Sequence, residues 1–399
     1  MHKLCVVVQR YGIEVNGGAE LLTRQIAEKL SSIFDVTVLT SKAIDYHTWR
    51  DEYKEDCEVI NGVKVKRFSV EKERNLQEFV DGINTEFLLS QEAWDKDEEW
   101  LVEQGPYVPS LVEYVKEHKD DYDVFLLFTY LYYTSVKVFD IVKDKSIIIP
   151  FAHNEPYIHM NIIRKLFVDS KAIIFETEEE RQLIRRIFCN YYIPYKIAGA
   201  GIDVPSHVDP ERFKKKFNLN NYIIYAGRID DGKNCPELFE FFLNYKKNYN
   251  SDLKLVLIGN QLIDIPASND IVSLGFVSEE DKFDGIAGAK VLLLPSKFES
   301  LSLVVLEAFS LRVPVLVNGY CDVVKAHCNK SNGGFYYYNQ NDFNENLDKL
   351  CSSEELRTTM GIAGEQYVNQ NYNWNLIIHK FEKLIEYVMS ENENDHFAK

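Results

Sequence analysis

The stretch LCVVVQRYGIEVNGGAELLTRQIAEKLSSIFDVTVLT, residues 4–40, predicts the fold of the domain that it opens. Leu4–Val8 is a short apolar run between polar residues, which is typical of a buried parallel strand. A loop with a glycine pair follows, and residues 19–30 carry Leu and Ile at helical spacing. Asp35–Thr40 predicts a second strand. The order strand, loop, helix, strand is typical of a doubly wound α/β domain.

The same alternation continues along the chain and restarts once. Residues 204–212, VPSHVDPER, hold two prolines among polar residues, which favours a linker. Apolar runs typical of buried strands lie on both sides of it, at 124–128, 147–151, 171–175, 222–226, 253–258, 271–274, 291–294 and 314–317. We therefore predict an α/β protein with two doubly wound, Rossmann-like domains facing a cleft. Ligands in such folds bind beyond the carboxyl ends of the strands, so the loops after each strand are the places to search.

Composition excludes several classes of protein. The 399 residues carry a formal net charge of -17, and phosphate contacts need Lys and Arg, so we expect no nucleic-acid partner. The seven cysteines are odd in number and form no CxxC pair, which favours reduced thiols and a cytoplasmic location. No apolar run reaches the ~18 residues of a membrane span.

The most informative stretch for chemistry is PSKFESLSLVVLEA, residues 295–308. Glu299 follows a predicted strand, and Glu307 lies eight residues on, which we place two turns into the next helix, about 12 Å away. Carboxylates accept hydrogen bonds from vicinal hydroxyls, so the pair suits a ligand with a sugar at one end and a ribose at the other. Backbone amides of residues 300–303 at the helix start can hold a diphosphate. The alternative is a surface glutamate and a helix-capping glutamate.

Three further loops carry candidate residues. GRIDDGKN, residues 227–234, places Arg228 and Lys233 after a strand, where two cations can neutralise a pyrophosphate. Gly17 and Gly18 after the first strand let the backbone approach a ligand, although they do not form the GxGxxG fingerprint. FAHNE, residues 151–155, puts His153 where it can donate to a sugar hydroxyl or a phosphate. Taken singly, each of these signals is weak, and a lone histidine is more often structural.

Taken together, these stretches resemble the GT-B glycosyltransferases of family 4, a large retaining group. The resemblance rests on ESLSLVVLE (299–307), on GR…GK upstream and on GGAE (17–20). The stretch VNGYCDVVKAHCNKSNGGFYY (317–337) looks like a subgroup of bacterial enzymes that build polysaccharide and O-antigen chains. The resemblance covers nearly the whole chain and is most specific in its C-terminal half.

The resemblance implies roles on the donor side. Glu299 would hold hydroxyls of the donor sugar, and Glu307 would bind the ribose. Arg228 and Lys233 would clamp the diphosphate. The remaining donor contacts would come from backbone amides at Ser302 and Leu303, from Val277 beside the base, and from Gly17 and Gly18 near the phosphate and the reacting region.

The resemblance also implies a domain plan. Residues 1–203 would form an acceptor-side domain, with His153 contacting the sugar or stabilising the transition state. Residues 204–374 would form the nucleotide-sugar-binding domain, and a C-terminal helix at about 375–399 would return to the first domain. One departure matters, since the family commonly has Phe-Gly after the first glutamate and this chain has Leu301-Ser302. Ser lacks the conformational freedom of Gly.

The implied activity is transfer of a hexose, with retention, from a nucleotide-diphosphate sugar to a saccharide or lipid-linked glycan acceptor in cell-surface polysaccharide synthesis. No DxD-type cluster follows a strand, so we expect no metal and no cofactor apart from the donor substrate. Three other functions stay open on the sequence: a non-catalytic GT-B subunit that binds donor, a sugar-nucleotide epimerase, and an NAD-linked dehydrogenase. The missing dinucleotide fingerprint disfavours the last of these.

Two segments bear on membrane contact. Residues 162–171, IIRKLFVDSK, and 181–188, RQLIRRIF, place Arg and Lys beside large apolar residues. Such stretches can lie on anionic lipid at the inner face of the cell membrane. Amphipathic helices packed on a core produce the same pattern, and we favour that interpretation over peripheral contact.

Overall fold

The computed structural model describes residues 1–15, 17–75, 96–249 and 252–397. The chain divides into two compact units. Unit 1 contains residues 1–200 and 375–399, and unit 2 contains residues 201–374. The sequence also predicts helices over residues 75–119 that carry Trp94 and Trp100; Trp94 lies outside the described residues, whereas Trp100 lies on a helix.

Unit 1 is built on an eight-stranded sheet of order β3-β4-β2-β1-β5-β6-β7-β8. All neighbours run parallel except the hairpin β3–β4, which turns at Asn61-Gly62. The strands are β1 (Lys3–Val7), β2 (Asp35–Ser41), β3 (Cys57–Ile60), β4 (Val63–Phe68), β5 (Val124–Phe128), β6 (Ser146–Ile149), β7 (Ala172–Phe175) and β8 (Tyr195–Ile197). The helices are α1 (Gly18–Leu30), α2 (Asp97–Gln104), α3 (Pro109–His118), α4 (Tyr133–Val142), α5 (Asn161–Val168) and α6 (Glu178–Phe188). Every residue of β5 and β6 is buried, because helices cover both faces of a parallel sheet.

Unit 2 repeats the plan with a six-stranded parallel sheet of order β11-β10-β9-β12-β13-β14. Its strands are β9 (Tyr222–Ala226), β10 (Lys254–Ile258), β11 (Ile271–Ser273), β12 (Leu292–Leu294), β13 (Val315–Asn318) and β14 (Gly334–Tyr337). Its helices are α7 (Pro210–Phe217), α8 (Cys235–Asn248), α9 (Glu279–Gly288), α10 (Leu303–Ser310), α11 (Asp322–Ser331), α12 (Gln340–Ser352) and α13 (Glu354–Asn371).

The last helix, α14 (Trp374–Phe397), starts at the end of unit 2 and continues in unit 1. Trp374 belongs to unit 2, where its indole Nε1 donates to Asp203 Oδ2 at 2.9 Å. The apolar positions that repeat at helical spacing are buried, namely Ile377, Phe381, Leu384, Ile385 and Val388. Within the described ranges, no helix is both long and apolar enough to cross a membrane.

The predicted linker at 204–212 is too long. Helix α7 already begins at Pro210, so only residues 204–209 lie outside regular structure. The Asp209 side chain accepts hydrogen bonds from the amides of Glu211 and Arg212, and proline is favoured in the first turn of a helix. The second proline of the segment therefore marks a helix start.

Candidate functional site

The centre of unit 2 is the point where the strand order reverses. Strand β9 pairs with β10 on one side and with β12 on the other, and all three run parallel. The loops that follow β9 and β12 therefore leave the same edge of the sheet side by side, which is where doubly wound folds hold ligands. These two loops carry the candidate residues predicted at 227–234 and 295–303.

Lys233 and Glu299 meet at this edge. Lys233 Nζ donates to Glu299 Oε1 at 2.6 Å, and the side chains are only 28% and 12% exposed. Partial burial makes each charge costly to leave alone, so the two groups hold each other in place. This bond uses one of the three N–H donors of the ammonium and one of the acceptor sites of the carboxylate. The remaining capacity can serve a ligand.

The β9 loop is fixed by its own side chains. Asp230 Oδ1 accepts from the Lys233 amide at 2.7 Å, and Asp230 Oδ2 forms an ion pair with Arg228 Nε at 3.2 Å. Asn234 donates across to Pro295 O at 3.2 Å, which ties this loop to the β12 loop. Arg228 therefore shares the loop with Lys233 but turns toward Asp230 instead of Glu299. Its side chain is 42% exposed.

Helix α10 begins directly beside this pair. Ser302 is its N-cap, with φ of 69°, in the left-handed region that favours glycine. The Ser302 hydroxyl is buried and has no hydrogen-bond partner within the described part of the chain. First-turn amides such as that of Leu303 have no partner within their own helix and point outward. A strained residue with a buried, unsatisfied hydroxyl at a helix N-terminus is suited to an anion.

The position predicted for Glu307 is wrong in one respect. Helix α10 begins at Leu303, so Glu307 lies four residues into it and not two turns from Glu299. The estimate of about 12 Å applied the helical rise to loop residues, which have no fixed rise. Glu307 Oε1 accepts from Lys282 Nζ of α9 at 2.9 Å, and the two side chains are 12% and 21% exposed. The sequence analysis did not identify Lys282.

Val277 lies in the loop after β11. Gly275 in this loop has φ of 67°, and Ser278 caps α9 by accepting from the Asp281 amide. Val277 is half-buried and its neighbour Phe276 is 66% exposed. An apolar surface with a fixed backbone therefore lies three strands away from the β12 loop.

His327 supports the β12 loop and was missed from the sequence. It lies on the buried face of α11, where its Nε2 donates to Leu301 O at 2.8 Å and its Nδ1 faces the Tyr367 hydroxyl at 3.0 Å. Burial lowers the pKa of His327 to about 4, so the ring is neutral near pH 7 and its single N–H serves Leu301. A lone histidine on an apolar helix face gave no signal of this role.

The depressed pKa of His327 predicts an acid dependence of the stability of unit 2. A histidine with a folded pKa of about 4 and an unfolded value of about 6.5 stabilises the fold above pH 6.5 and loses that contribution as the pH falls toward 4. We expect the loss to approach about 3 kcal/mol in the wild type. In a His327→Gln variant this part of the pH dependence should be absent. Hydrogen exchange of residues 322–332 at pH 4.5 and 7 measures it, and equal pH dependence in both proteins would contradict the assignment.

In unit 1, Gly17 and Gly18 have different surroundings. A Cβ on Gly17 would lie 2.2 Å from Glu20 Oε2, so this glycine makes room for a buried carboxylate. That carboxylate pairs with Arg10 at 2.6 Å and accepts from Gln9 at 2.8 Å. A Cβ on Gly18 would meet nothing within 4 Å. Only Gly18 therefore borders open space at the start of α1.

A substitution at Gly18 can distinguish an effect on folding stability from an effect on ligand binding. A Gly18→Val variant should keep the thermal stability of the wild type, because the new side chain enters open space. If donor phosphate approaches this backbone, the variant should lose activity by about tenfold or more, ~1.4 kcal/mol in the barrier. Thermal melting and the rate of donor consumption measure the two effects. Full activity in the folded variant would remove Gly18 from the site.

His153 lies on the loop after β6, close to Glu155. Its Nδ1 is 3.1 Å from Glu155 Oε1, and the Tyr130 hydroxyl donates to the same oxygen. Burial acts to raise the pKa of Glu155, but the hydrogen bonds from His153 and Tyr130 outweigh it and leave the pKa lowered. An ionised Glu155 fixes the orientation of the ring. Glu155 therefore positions His153, although the sequence analysis named only the histidine.

A second carboxyl group supports the same loop. Glu180 of α6 accepts from the Ala152 amide and, at 2.6 Å, from the Glu176 amide, which joins the loops after β6 and β7. Burial raises the pKa of Glu180 to about 7. Among the described residues there is no cluster of three or more His, Cys, Asp or Glu side chains that could hold a metal ion.

A known protein family matches part of the chain, and the matched residues lie in unit 2. Residues 208–367 match the family model described as Glycosyl transferases group 1. The capsular polysaccharide biosynthesis glycosyltransferase CapM of Staphylococcus aureus is 26% identical over 197 residues, which is 46% of this chain and 50% of that protein. The match to this curated relative therefore spans about half of its length.

Solved structures resemble the whole chain. Sucrose-phosphate synthase from Thermosynechococcus elongatus gives a TM-score of 0.73 at 15% identity, with 98% of this chain and 100% of that chain covered. Anabaena Alr3699/HepE, solved in complex with UDP and glucose, gives 0.70 at 14% identity over 98% and 100%. These likenesses and the two parallel sheets confirm the predicted α/β fold class with two Rossmann-like domains.

Proposed function

We propose that this protein is a retaining glycosyltransferase that moves a hexose from a nucleotide-diphosphate sugar to a saccharide or lipid-linked glycan acceptor in cell-surface polysaccharide synthesis. The observation that carries the proposal is the contact of Lys233 with Glu299 beside the start of α10. This contact lies within the residues that match Glycosyl transferases group 1.

Different groups of the site bind different parts of the donor. Lys233 and Arg228 neutralise the diphosphate, and the Ser302 hydroxyl with the first amides of α10 binds its oxygens. Glu299 accepts hydrogen bonds from hydroxyls of the donor sugar once Lys233 shares its ammonium with the phosphate.

Glu307 on α10 and the loop after β11 hold the other end of the donor. Glu307, oriented by Lys282, accepts hydrogen bonds from the ribose hydroxyls. The Val277 loop lies beside the base. The same scaffold accommodates any nucleoside diphosphate, so the identity of the nucleotide depends on side chains around that loop.

Chemistry with retention needs no protein nucleophile. The acceptor hydroxyl forms a bond to the anomeric carbon on the face from which the diphosphate leaves. The electron pair of the breaking carbon–oxygen bond goes to the diphosphate, and the acceptor proton goes to a phosphate oxygen. Negative charge grows on the diphosphate in the transition state, so Lys233 and Arg228 accelerate the step and no metal ion is required.

Unit 1 supplies the acceptor side in this proposal. His153, held by Glu155, contacts the sugar or the developing charge, and the Gly18 backbone approaches the phosphate. Residues 162–168 lie on α5 and residues 181–188 on α6, and the apolar faces of both helices are buried in unit 1. Arg164 of α5 and Arg186 of α6 are exposed, and we include peripheral contact of these two arginines with a membrane in the proposal.

Thermal stabilisation by nucleotides tests the donor site. A ligand at one hundred times its dissociation constant stabilises the fold by about 2.7 kcal/mol. We expect one of UDP, GDP or dTDP, without added metal, to raise the melting temperature of the wild type and to do so less in a Lys233→Ala variant. Lys297→Ala is the matched control, since Lys297 lies two residues before Glu299 and pairs with Glu237 at 3.2 Å. No stabilisation by any of the three nucleotides would overturn the proposed function.

A further inference from the structure

Three tyrosines cluster on the surface of unit 2, one on the loop after β13, one on β14 and one directly after β14. Tyr320 is 65% exposed and Tyr338 is 42% exposed, and their rings meet edge to face at 5.2 Å. Tyr336 stands edge to face with Tyr338 at 5.7 Å. We call Tyr320, Tyr336 and Tyr338 the tyrosine platform.

The backbone holds these rings outward. Asn318 pairs with Tyr337 in the β13–β14 register, and Tyr337 is buried, so its neighbours Tyr336 and Tyr338 point to the opposite face of the strand. The Tyr320 amide donates to Asn318 Oδ1 at 3.0 Å, which fixes the loop. A Cβ on Gly319 would lie 2.7 Å from the Tyr338 ring, so glycine lets that ring lie against the loop.

The loop that carries Tyr320 is joined to the donor loop. Asn318 Nδ2 donates to Pro295 O at 3.1 Å. Strands β12 and β13 are parallel neighbours, so the platform begins at the same sheet edge as Glu299. An extended ligand that passes Glu299 can therefore continue over Tyr320.

The rim of the platform is polar. Lys325 Nζ pairs with Asp322 Oδ1 at 2.7 Å, and Asp342 Oδ2 accepts from the Tyr338 amide at 3.1 Å. Tyrosine presents an apolar face and a hydroxyl, which together match the C–H face and the hydroxyls of a pyranose ring. Adjacent exposed aromatic rings of this kind can serve as a binding surface.

From this geometry we infer that the tyrosine platform binds a pyranose ring of the glycan acceptor, one or more sugars away from the reacting hydroxyl. The inference rests on the proposed function and adds an acceptor subsite on unit 2. It places part of acceptor recognition on the donor-binding unit, next to Cys321 and Asp322.

The test uses a printed array of oligosaccharides cut from bacterial capsular polysaccharides and O-antigens, probed with the labelled full-length protein. Wild type should bind a subset of glycans, and Tyr320→Ala and Tyr338→Ala should weaken that binding by about tenfold. Tyr320→Phe should retain most of it, because the ring face remains. Tyr191→Ala is the matched control, since Tyr191 is 67% exposed and lies in unit 1.

The other outcomes overturn the inference. Array binding that is absent, or unchanged in both alanine variants, shows that the platform does not hold glycan. If the alanine variants instead change the sedimentation coefficient and leave glycan binding intact, the platform is a contact between copies of the chain. Failure of the proposed function is separate, because it appears as absence of thermal stabilisation by UDP, GDP and dTDP.

Discussion

Replacing Lys233 by alanine is expected to lower turnover by about 10²–10³-fold. The ammonium lies 2.6 Å from Glu299 Oε1 in a site that is largely shielded from water. A cation there stabilises charge that develops on the leaving diphosphate, and removing one preorganised group of this kind has an effect of that size. Steady-state measurement of donor consumption with and without acceptor gives the number.

The fold should survive this substitution with a modest loss of stability, because Glu299 is left without its partner and is 12% exposed. Lys233→Arg should recover part of the turnover by restoring the charge. Lys297→Ala, at a 42% exposed lysine on the β12 loop, should leave turnover near the wild-type value. Turnover that is unchanged in Lys233→Ala would remove Lys233 from the catalytic machinery.

Glu299→Gln is expected to lower kcat/KM by about 10²-fold, equivalent to ~2.7 kcal/mol. Glutamine keeps the shape of the side chain but has one acceptor oxygen in place of two and carries no charge. Since Glu299 is assigned to the sugar and not to the nucleotide, the variant should still be stabilised by the nucleoside diphosphate. It should lose the extra stabilisation that the sugar provides. Melting curves with each ligand measure both quantities.

The control for Glu299→Gln is Glu237→Gln, because Glu237 is the carboxylate that Lys297 and Asn318 hold beside the same loop. It should change kcat/KM little. The double variant Lys233→Ala with Glu299→Gln should lose less than the sum of the two single losses in barrier height, because groups in contact are coupled. A strictly additive result, or equal loss of nucleoside diphosphate and nucleotide-sugar binding, would contradict the division of labour between the two residues.

Sequence patterns predicted strands and helices correctly where the element depends mainly on its own residues. Apolar runs such as Val124–Phe128 were identified as buried strands, since a strand covered on both faces must be apolar throughout. The patterns were less reliable at boundaries. Pro210 was assigned to a linker although it starts α7, because proline marks both loops and helix starts. Glu307 was placed two turns into the helix although it lies about one turn in, because the helical rise was applied to the loop residues before Leu303.

Short-range patterns in the sequence are enough to predict the α/β class and those strands of both sheets that are continuous apolar runs. They also predict the loops that carry Arg228, Lys233 and Glu299. Which charged side chains form ion pairs with each other depends on the tertiary structure. Lys233 pairs with Glu299 across 66 residues because β9 and β12 are neighbours in the sheet, and Arg228 turns to Asp230 instead. Lys282 reaches Glu307 and His327 reaches Leu301 for the same reason. A contact between distant residues depends on the strand order, and the strand order is a property of the folded sheet and not of any single segment.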